Sequence, residues 1–406
     1  MDVGILTFHW AKHVGAFLQM YSLYRLLEPH YNVSIINYLP KLYFVSEQSA
    51  NMKEIFIKHW RIRRYGVVKG VLFSVGEFFN RIFLFSIEKR RKIAYENHLH
   101  RLNLSRPIYD LFELRKIVEE FDVVVVGSDQ VWNPEFLVYS DYAYLLPFRL
   151  KKWRKVAYAA SIGASDLSSV PAKILNMYSK CLRDFDFVSL RERTHAKFLS
   201  KLIGKEVHHT LDPTLLMDSE WWYQQILNTG GITDLDLEPG KYVFVYNLSY
   251  DTLVKLESLI HELISEGIDI VAYAMPRLSV RGNISNFLFF TKALLKDIKF
   301  VEYIDSFEFL WLVKNAKYII TNSYHGTIFS IIFEKPFVTI PFRGRSVRMF
   351  DLLDLLGLKH RIVYTPDEVL RKLKEDSIDF KKVKTILEFH RRRSLKLLMS
   401  ALSDKS

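Results

Sequence analysis

Cysteine is almost absent from this chain. Its 406 residues hold one, Cys181, which excludes an internal disulfide framework and a cysteine-based metal site and fits a reducing cytoplasm. No run of 18 uncharged apolar residues occurs. The best stretch, Gly66 to Ile87, is broken by Lys69, Glu77 and Arg81, so no transmembrane helix is expected. The first residues enter a strand directly (Val3 to Phe8) and show no basic-then-apolar leader. Acidic residues are in deficit: 45 Asp and Glu stand against 57 Lys and Arg, a formal net charge of +12. The excess calls for an acidic partner, whether nucleic acid, anionic lipid or an anionic substrate. A basic recognition helix, an RNP-like strand and zinc-ligand spacing are all missing, so nucleic acid is not expected. No metal is expected either.

What is present is an alternation of strand and helix patterns, repeated after a break. Hydrophobic residues make up 49% of the chain, enough for two cores, and the length favours two domains. Strand patterns at 3–8, 32–38, 122–127, 155–161, 185–190 and 206–211 alternate with helix patterns at 15–27, 110–120, 172–184 and 192–204. Residues 226–240 are richer in Gly, Asp, Asn and Thr and read as a linker. The alternation then restarts, with strands at 241–248, 268–275, 318–323 and 336–341 and helices at 251–267, 306–316, 325–334 and 346–357, closing on a basic helix near Asp379–Leu402. This predicts an α/β protein with two Rossmann-like domains facing a cleft, residues 1–228 and 238–406. The first domain carries an insertion at about 45–105. Between Lys53 and Lys92 it holds 11 Lys and Arg against 3 Glu, interleaved with Phe78, Phe79, Phe83 and Phe85. A basic segment rich in aromatics reads as a membrane-surface element, with a solvated helical hairpin as the alternative.

Three loops carry the chemistry. The first runs from Thr7 to Gly15 at a strand end and a helix start, where unpaired amides and the helix dipole favour an anion. Lys12 and His13 strengthen that reading, and the loop lacks the Gly-x-Gly-x-x-Gly of a dinucleotide site. The second follows four valines, 123–126, and delivers Ser128, Asp129, Gln130, Trp132 and Asn133 to a strand end, where open α/β sheets place their ligand crevice. A polar cluster around a tryptophan there suits a sugar or a small anion. The third, Thr321 to Thr327, places His325 at the start of a helix in the second half, where it can serve as a proton donor near neutral pH. Arg191, directly after strand 185–190, is placed to fork a carboxylate or phosphate, and Arg345 and Arg348 add charge to the cleft. Asp212-Pro213 reads as a turn starter.

The segments at 4–23, 125–134, 189–199, 211–216 and 323–338, in this order and spacing, resemble the polysaccharide pyruvyl transferase family. The resemblance runs from about residue 3 to about 358, with a gap at 40–105. It implies a GT-B-like pair of domains, phosphoenolpyruvate as donor without a further cofactor, and a sugar on a bacterial surface polysaccharide or exopolysaccharide as acceptor. The product implied is a cyclic pyruvate ketal, made in the cytoplasm or at the inner membrane face. It maps the donor-holding arginine onto Arg191 and the acid onto His325. Asp129 is then the expected base, Gly15, Lys12, His13, Arg345 and Arg348 the further donor contacts, and Trp132, Asn133 and Gln130 the acceptor contacts. Expected partners are phosphoenolpyruvate, a glycan or lipid-linked glycan, and an anionic membrane surface through residues 53–92. The chain departs from the family pattern twice: His13-Val14-Gly15 stands where Asn-Tyr-Gly is usual, and Ser323 where better-studied branches carry an arginine. Two other functions fit the same residues, a glycosyltransferase using a nucleotide sugar and a non-catalytic, membrane-associated glycan-assembly factor.

Overall fold

A computed structural model describes residues 1–40, 89–90, 92–140, 142–148, 154–163, 167, 170–230, 235–246, 256–273, 298–301, 303–341, 346–374 and 377–403. The strands are β1 (Asp2–Leu6), β2 (Asn32–Ile35), β3 (Val123–Val126), β4 (Arg154–Ala160), β5 (Phe187–Leu190), β6 (His208–His209), β7 (Tyr242–Tyr246), β8 (Asp269–Tyr273), β9 (Ile298–Val301), β10 (Tyr318–Thr321) and β11 (Phe337–Thr339). The helices are α1 (Val14–Leu27), α2 (Leu111–Ile117), α3 (Pro134–Tyr139), α4 (Ala172–Leu182), α5 (Arg193–Ile203), α6 (Ser219–Thr229), α7 (Glu257–Ser265), α8 (Ser306–Asn315), α9 (Tyr324–Ile332), α10 (Val347–Leu355), α11 (Pro366–Lys374) and α12 (Phe380–Leu402).

Two parallel sheets form, ordered β2-β1-β3-β4-β5-β6 and β11-β10-β7-β8-β9. Both faces of each are covered, so strands such as Val123–Val126 and Tyr242–Tyr246 are buried at every position, as parallel strands between helix layers must be. Each order reverses once. In the first sheet the chain leaves β1 toward β2 and resumes on the other side at β3; in the second it turns between β7 and β10. Ligand crevices open at the carboxyl ends of strands at such switch points. The residues after β1, β3 and β10 are therefore the expected site-formers, and they are the three loops singled out above.

One hydrophobic cluster runs across both halves, from Val3, Phe17 and Tyr21 through Trp222 to Phe244, Phe307 and Phe329. Each sheet has a second cluster on its other face. The terminal helix α12 crosses back to the first sheet: Arg154 donates to the carbonyls of Ala401 at 3.4 Å and Leu402 at 2.8 Å. Ser394 on α12 accepts from the Leu211 amide at 3.0 Å, and Arg391 donates to the Leu215 carbonyl at 2.9 Å. The sequence reading missed β9, α3, α6 and α11, and it took 206–211 as a strand where two residues, His208 and His209, pair. α6, with Trp221, Trp222, Ile226 and Leu227, and α11, with Val369, Leu370 and Leu373, do carry helix-spaced apolar residues, which the reading passed over. Residues 89–90 and 92–99 are helical; the rest of the basic insertion at 53–92 lies outside the described residues. Among the described residues no helix is long and apolar enough to cross a membrane.

Candidate active site

Arg191 is the hub. It leaves the end of β5 fully buried, and its Nε donates to Ser128 Oγ at 2.7 Å and to the Ala159 carbonyl at 3.1 Å. The same Nε lies 3.0 Å from Asp212 Oδ2, and Nη1 lies 4.0 Å from Asp129 Oδ1. Ser128 reaches this position because the chain turns sharply after β3 at Gly127, with φ +107° and a would-be Cβ 2.5 Å from the Tyr158 carbonyl. A side chain is excluded there.

Asp212 joins the two halves. Its Oδ1 accepts from the Thr214 amide at 2.9 Å and the Thr214 hydroxyl at 2.7 Å. Its Oδ2 faces Arg191 and, at 3.6 Å, Nε2 of His325 from the second half. Burial alone would push this carboxyl toward neutrality. The Arg191 charge and then the His325 ring more than reverse that, leaving the pKa well below the usual carboxylate range. Such a depressed group stabilises the fold above its unfolded pKa of about 4 and loses that contribution as pH falls toward its lower folded value. Thermal stability is therefore expected to decline below about pH 4. An Asp212→Asn variant should show a shallower acid slope from an already lower melting temperature; an unchanged slope would remove Asp212 from the account.

His325 opens α9 behind Ser323, whose Oγ accepts from the Gly326 amide at 3.3 Å. Serine at the position of the family's arginine is thus an N-cap in this chain. The His325 ring lies against the first turn of α1: a Cβ on Gly15 would sit 2.1 Å from Nδ1. Gly15 is needed for this approach and not for a positive φ. Gly15→Ala should therefore displace the ring and lower turnover about 100-fold, the scale of a misplacement of about 1 Å. Alanine favours the helix by about 1 kcal/mol over glycine, so the variant should stay folded; full activity would mean that the contact has no catalytic weight.

A second guanidinium completes the cluster. Arg348 on α10 stands 5.2 Å from the centre of the Tyr324 ring, and Arg191 stands 5.6 Å from the same ring. With its amide oxygen turned to the guanidinium, Gln130 accepts from Arg348 Nη1 at 3.2 Å and Nη2 at 2.9 Å. Burial, and then the neighbouring Arg191, lower the pKa of Arg348. For Arg191 burial acts the same way, but Asp212 and Asp129 outweigh it and raise the pKa. Arg191 Nη1, Arg348 Nε and His325 Nε2 are buried without a hydrogen-bond partner among the described residues. Unmatched buried donors are costly, and the two guanidinium N–H groups together form a receptor for oxygen atoms that carry negative charge. Glu192 beside them is wholly buried, taking the Gly163 amide at 3.1 Å and the Ser161 hydroxyl.

The halves are pinned next to this cluster. α5 has no side-chain cap of its own; Asp351, one turn beyond Arg348 on α10, accepts from the Thr194 amide at 3.0 Å and its hydroxyl at 2.5 Å. The cap of a first-half helix thus comes from the second half, beside the ion pair of Arg193 and Asp354 at 2.5 Å.

The structure brings Asp129, Gln130, Arg191, Gly15, His325 and Arg348 together. His13 is the N-cap residue of α1, and Lys12 beside it is exposed. Arg345 lies outside the described residues. Trp132 corrects the sequence reading: its ring is wholly buried, packs edge-on against Phe185 and donates to the Tyr144 carbonyl at 3.0 Å. No face is left for a sugar. Asn133 is likewise buried, within its own turn, its side-chain amide 3.0 Å from that of Gln130, and Gln130 faces Arg348, so neither presents an acceptor surface. Asp212 is the functional residue that sequence reasoning passed over. Its signal was the segment LDPTLL, discounted because Asp-Pro so often begins a turn.

The model of the polysaccharide pyruvyl transferase family matches residues 13–342. This chain is a member of that family. The match takes in the end of the first loop from His13, the Ser128–Asp129 turn, Arg191, Asp212 and His325, and membership implies transfer to a glycan acceptor. No curated protein matches the chain in sequence. Solved structures match it in shape over nearly its whole length. UDP-N-acetylglucosamine 2-epimerase from Rickettsia bellii does so with a TM-score of 0.53 at 10% identity, covering 98% of this chain and 96% of that one. The Methanocaldococcus jannaschii UDP-GlcNAc 2-epimerase, in complex with UDP-GlcNAc and UDP, gives 0.51 at 16% identity, covering 98% and 100%. A putative UDP-N-acetylglucosamine 2-epimerase from Listeria monocytogenes gives 0.53 at 9%, covering 100% and 98%. At these identities the likeness shows the fold alone. It is the GT-B arrangement expected from the pyruvyl transferase resemblance.

Proposed function

We propose that this pyruvyl transferase moves the three-carbon unit of phosphoenolpyruvate onto two hydroxyls of one sugar in a bacterial surface polysaccharide or exopolysaccharide, releasing phosphate and leaving a cyclic pyruvate ketal. The observation that carries the reading is the pair of guanidiniums about Tyr324, with unmatched N–H groups on both, beside His325 at the meeting of the two switch points. A small ligand with a phosphate and a carboxylate matches two separate cations better than one.

His325 protonates C3 of the enol, and C2 becomes electrophilic. The first sugar hydroxyl attacks C2 and gives its proton to Asp129. The C2–O bond to phosphate then breaks, the proton passing to the leaving phosphate, and the second hydroxyl closes the ring as its own proton restores His325. Two hydroxyl protons leave the sugar, one ending as the third methyl hydrogen and one on phosphate or solvent, so the reaction calls for no redox cofactor. Arg191 and Arg348 hold the anionic groups throughout, and charge-assisted contacts of this kind are worth about 1.5–3 kcal/mol each.

The test is the melting temperature with phosphoenolpyruvate, inorganic phosphate and UDP-sugars in turn. A ligand at about 100 times its Kd adds about 2.7 kcal/mol. A rise with phosphoenolpyruvate beyond that from phosphate is expected. A rise with a UDP-sugar alone would replace this reading with glycosyl transfer from a nucleotide sugar, the ligand class held by the Methanocaldococcus jannaschii epimerase.

A further inference from the structure

We propose that the outer face of α12 is a docking surface for an anionic phospholipid membrane. This helix, Phe380–Leu402, is far along the chain from the basic insertion at 53–92. Lys381, Lys382, Lys384, Arg392, Arg393 and Lys396 are exposed along it, and Phe389, at 66% exposure, stands in their midst. The spacing puts them on one side: with about 100° per residue, Lys381, Phe389, Arg392 and Lys396 fall within about a quarter of the helix circumference. Val383, Leu387, Ser394, Leu398 and Leu402 occupy the opposite, buried side.

The inner face already does the structural work. Ser394 and Arg391 hold the 211–215 segment behind Asp212, and the carbonyls of Ala401 and Leu402 take Arg154. The outward cations have little to do with it. Glu388 is the acid among them, and it is shared by Arg391 at 2.7 Å and Arg392 at 3.0 Å. Lys384 makes a looser pair with Glu334 at 3.8 Å, with its own side chain 74% exposed. A row of exposed cations around an aromatic ring has the composition of a membrane-surface helix, and its charge complements an anionic leaflet. A nucleic acid would meet the same charge, but a single phenyl ring offers no platform on which successive bases could stack. If the proposed glycan transfer is correct, docking through α12 points to an acceptor carried on a lipid, and the Asp212 segment is tied directly to the docked helix. The docking claim itself is independent of the donor.

The experiment is co-sedimentation of the full chain with vesicles of phosphatidylcholine alone or mixed with phosphatidylglycerol, at low and high salt, alongside a random-sequence DNA duplex. Binding to the mixed vesicles, weakened by salt and absent from phosphatidylcholine, is expected. Each cation near such a surface is worth roughly a fivefold change in partition. Lys381→Gln, Arg392→Gln and Lys396→Gln together should therefore weaken binding about 100-fold, and Phe389→Ser should weaken it further. Lys173→Gln, Lys197→Gln and Lys201→Gln, exposed cations on α4 and α5, are the matched control and should change it little. No binding at low salt, equal losses in the two triple variants, or tighter binding to DNA than to vesicles would overturn the proposal. The melting temperature with phosphoenolpyruvate reports on the active site in the same preparations, so a failure of docking is distinguishable from a failure of the proposed reaction.

Discussion

Turnover of His325→Ala is expected to fall by about 10²–10⁴-fold, the range for loss of a positioned general acid. The ring is placed by groups on both sides. Asp212 stands 3.6 Å from Nε2, and Gly15 lets the other edge rest on the first turn of α1. Neither neighbour can take over as donor: Asp212 is held ionised by Arg191, and Gly15 has no side chain. The measurement is phosphate release under saturating donor, with the melting-temperature response to phosphoenolpyruvate taken in parallel. The variant should keep most of that response, because the anion contacts belong to the arginines. Retention of more than a tenth of wild-type turnover would show that another group supplies the proton.

Arg191→Ala should abolish the response to phosphoenolpyruvate and also weaken the fold. Removing one partner from a buried ion pair costs about 3–5 kcal/mol, because the other charge is stranded. Here the stranded groups are Asp212, fully buried, and Ser128 Oγ, which now accepts from Nε. A fall in melting temperature of roughly five degrees follows from that energy in a chain of this length. Arg191→Lys separates the two effects. It keeps a cation beside Asp212 and should restore part of the stability, but an ammonium cannot reproduce the planar fork that meets Ser128, Ala159 and an incoming oxyanion together. Donor affinity should stay low in both variants. If Arg191→Lys bound phosphoenolpyruvate as tightly as the native chain, the anion-clamp role would fail while the structural role stood.

The strand-to-helix loops after β1, β3 and β10 were legible as candidate sites because they show abrupt changes of composition. Four valines end at Gly-Ser-Asp, and Ile-Ile-Thr ends at Asn-Ser-Tyr-His. Arg191 was legible for the same reason. Trp132 was misread because an aromatic residue among polar ones looks the same in sequence whether it faces a cleft or the core. Its indole N–H finds the Tyr144 carbonyl, and the ring is enclosed. Asp212 erred the other way. Its Oδ1 does cap a turn at Thr214, as the sequence suggested, while its other oxygen meets Arg191 and His325. One carboxylate performs a local task and a long-range one, and spacing reports only the local one.

Local pattern by itself determined the α/β class, the two-part organisation, most strands and helices, and the family to which the chain belongs. Those follow from hydrophobic period, from loop composition and from the order of five segments, all written along one dimension. Strand order, the two reversals and the return of α12 to the first sheet came only with the tertiary structure, because parallel strands pair through crossovers whose neighbours no local period specifies. The same holds for the site. Arg191, Asp212 and His325 lie 21 and 113 residues apart along the chain, and only the packing of the two halves brings the guanidinium, the carboxylate and the imidazole to within 3.0 and 3.6 Å.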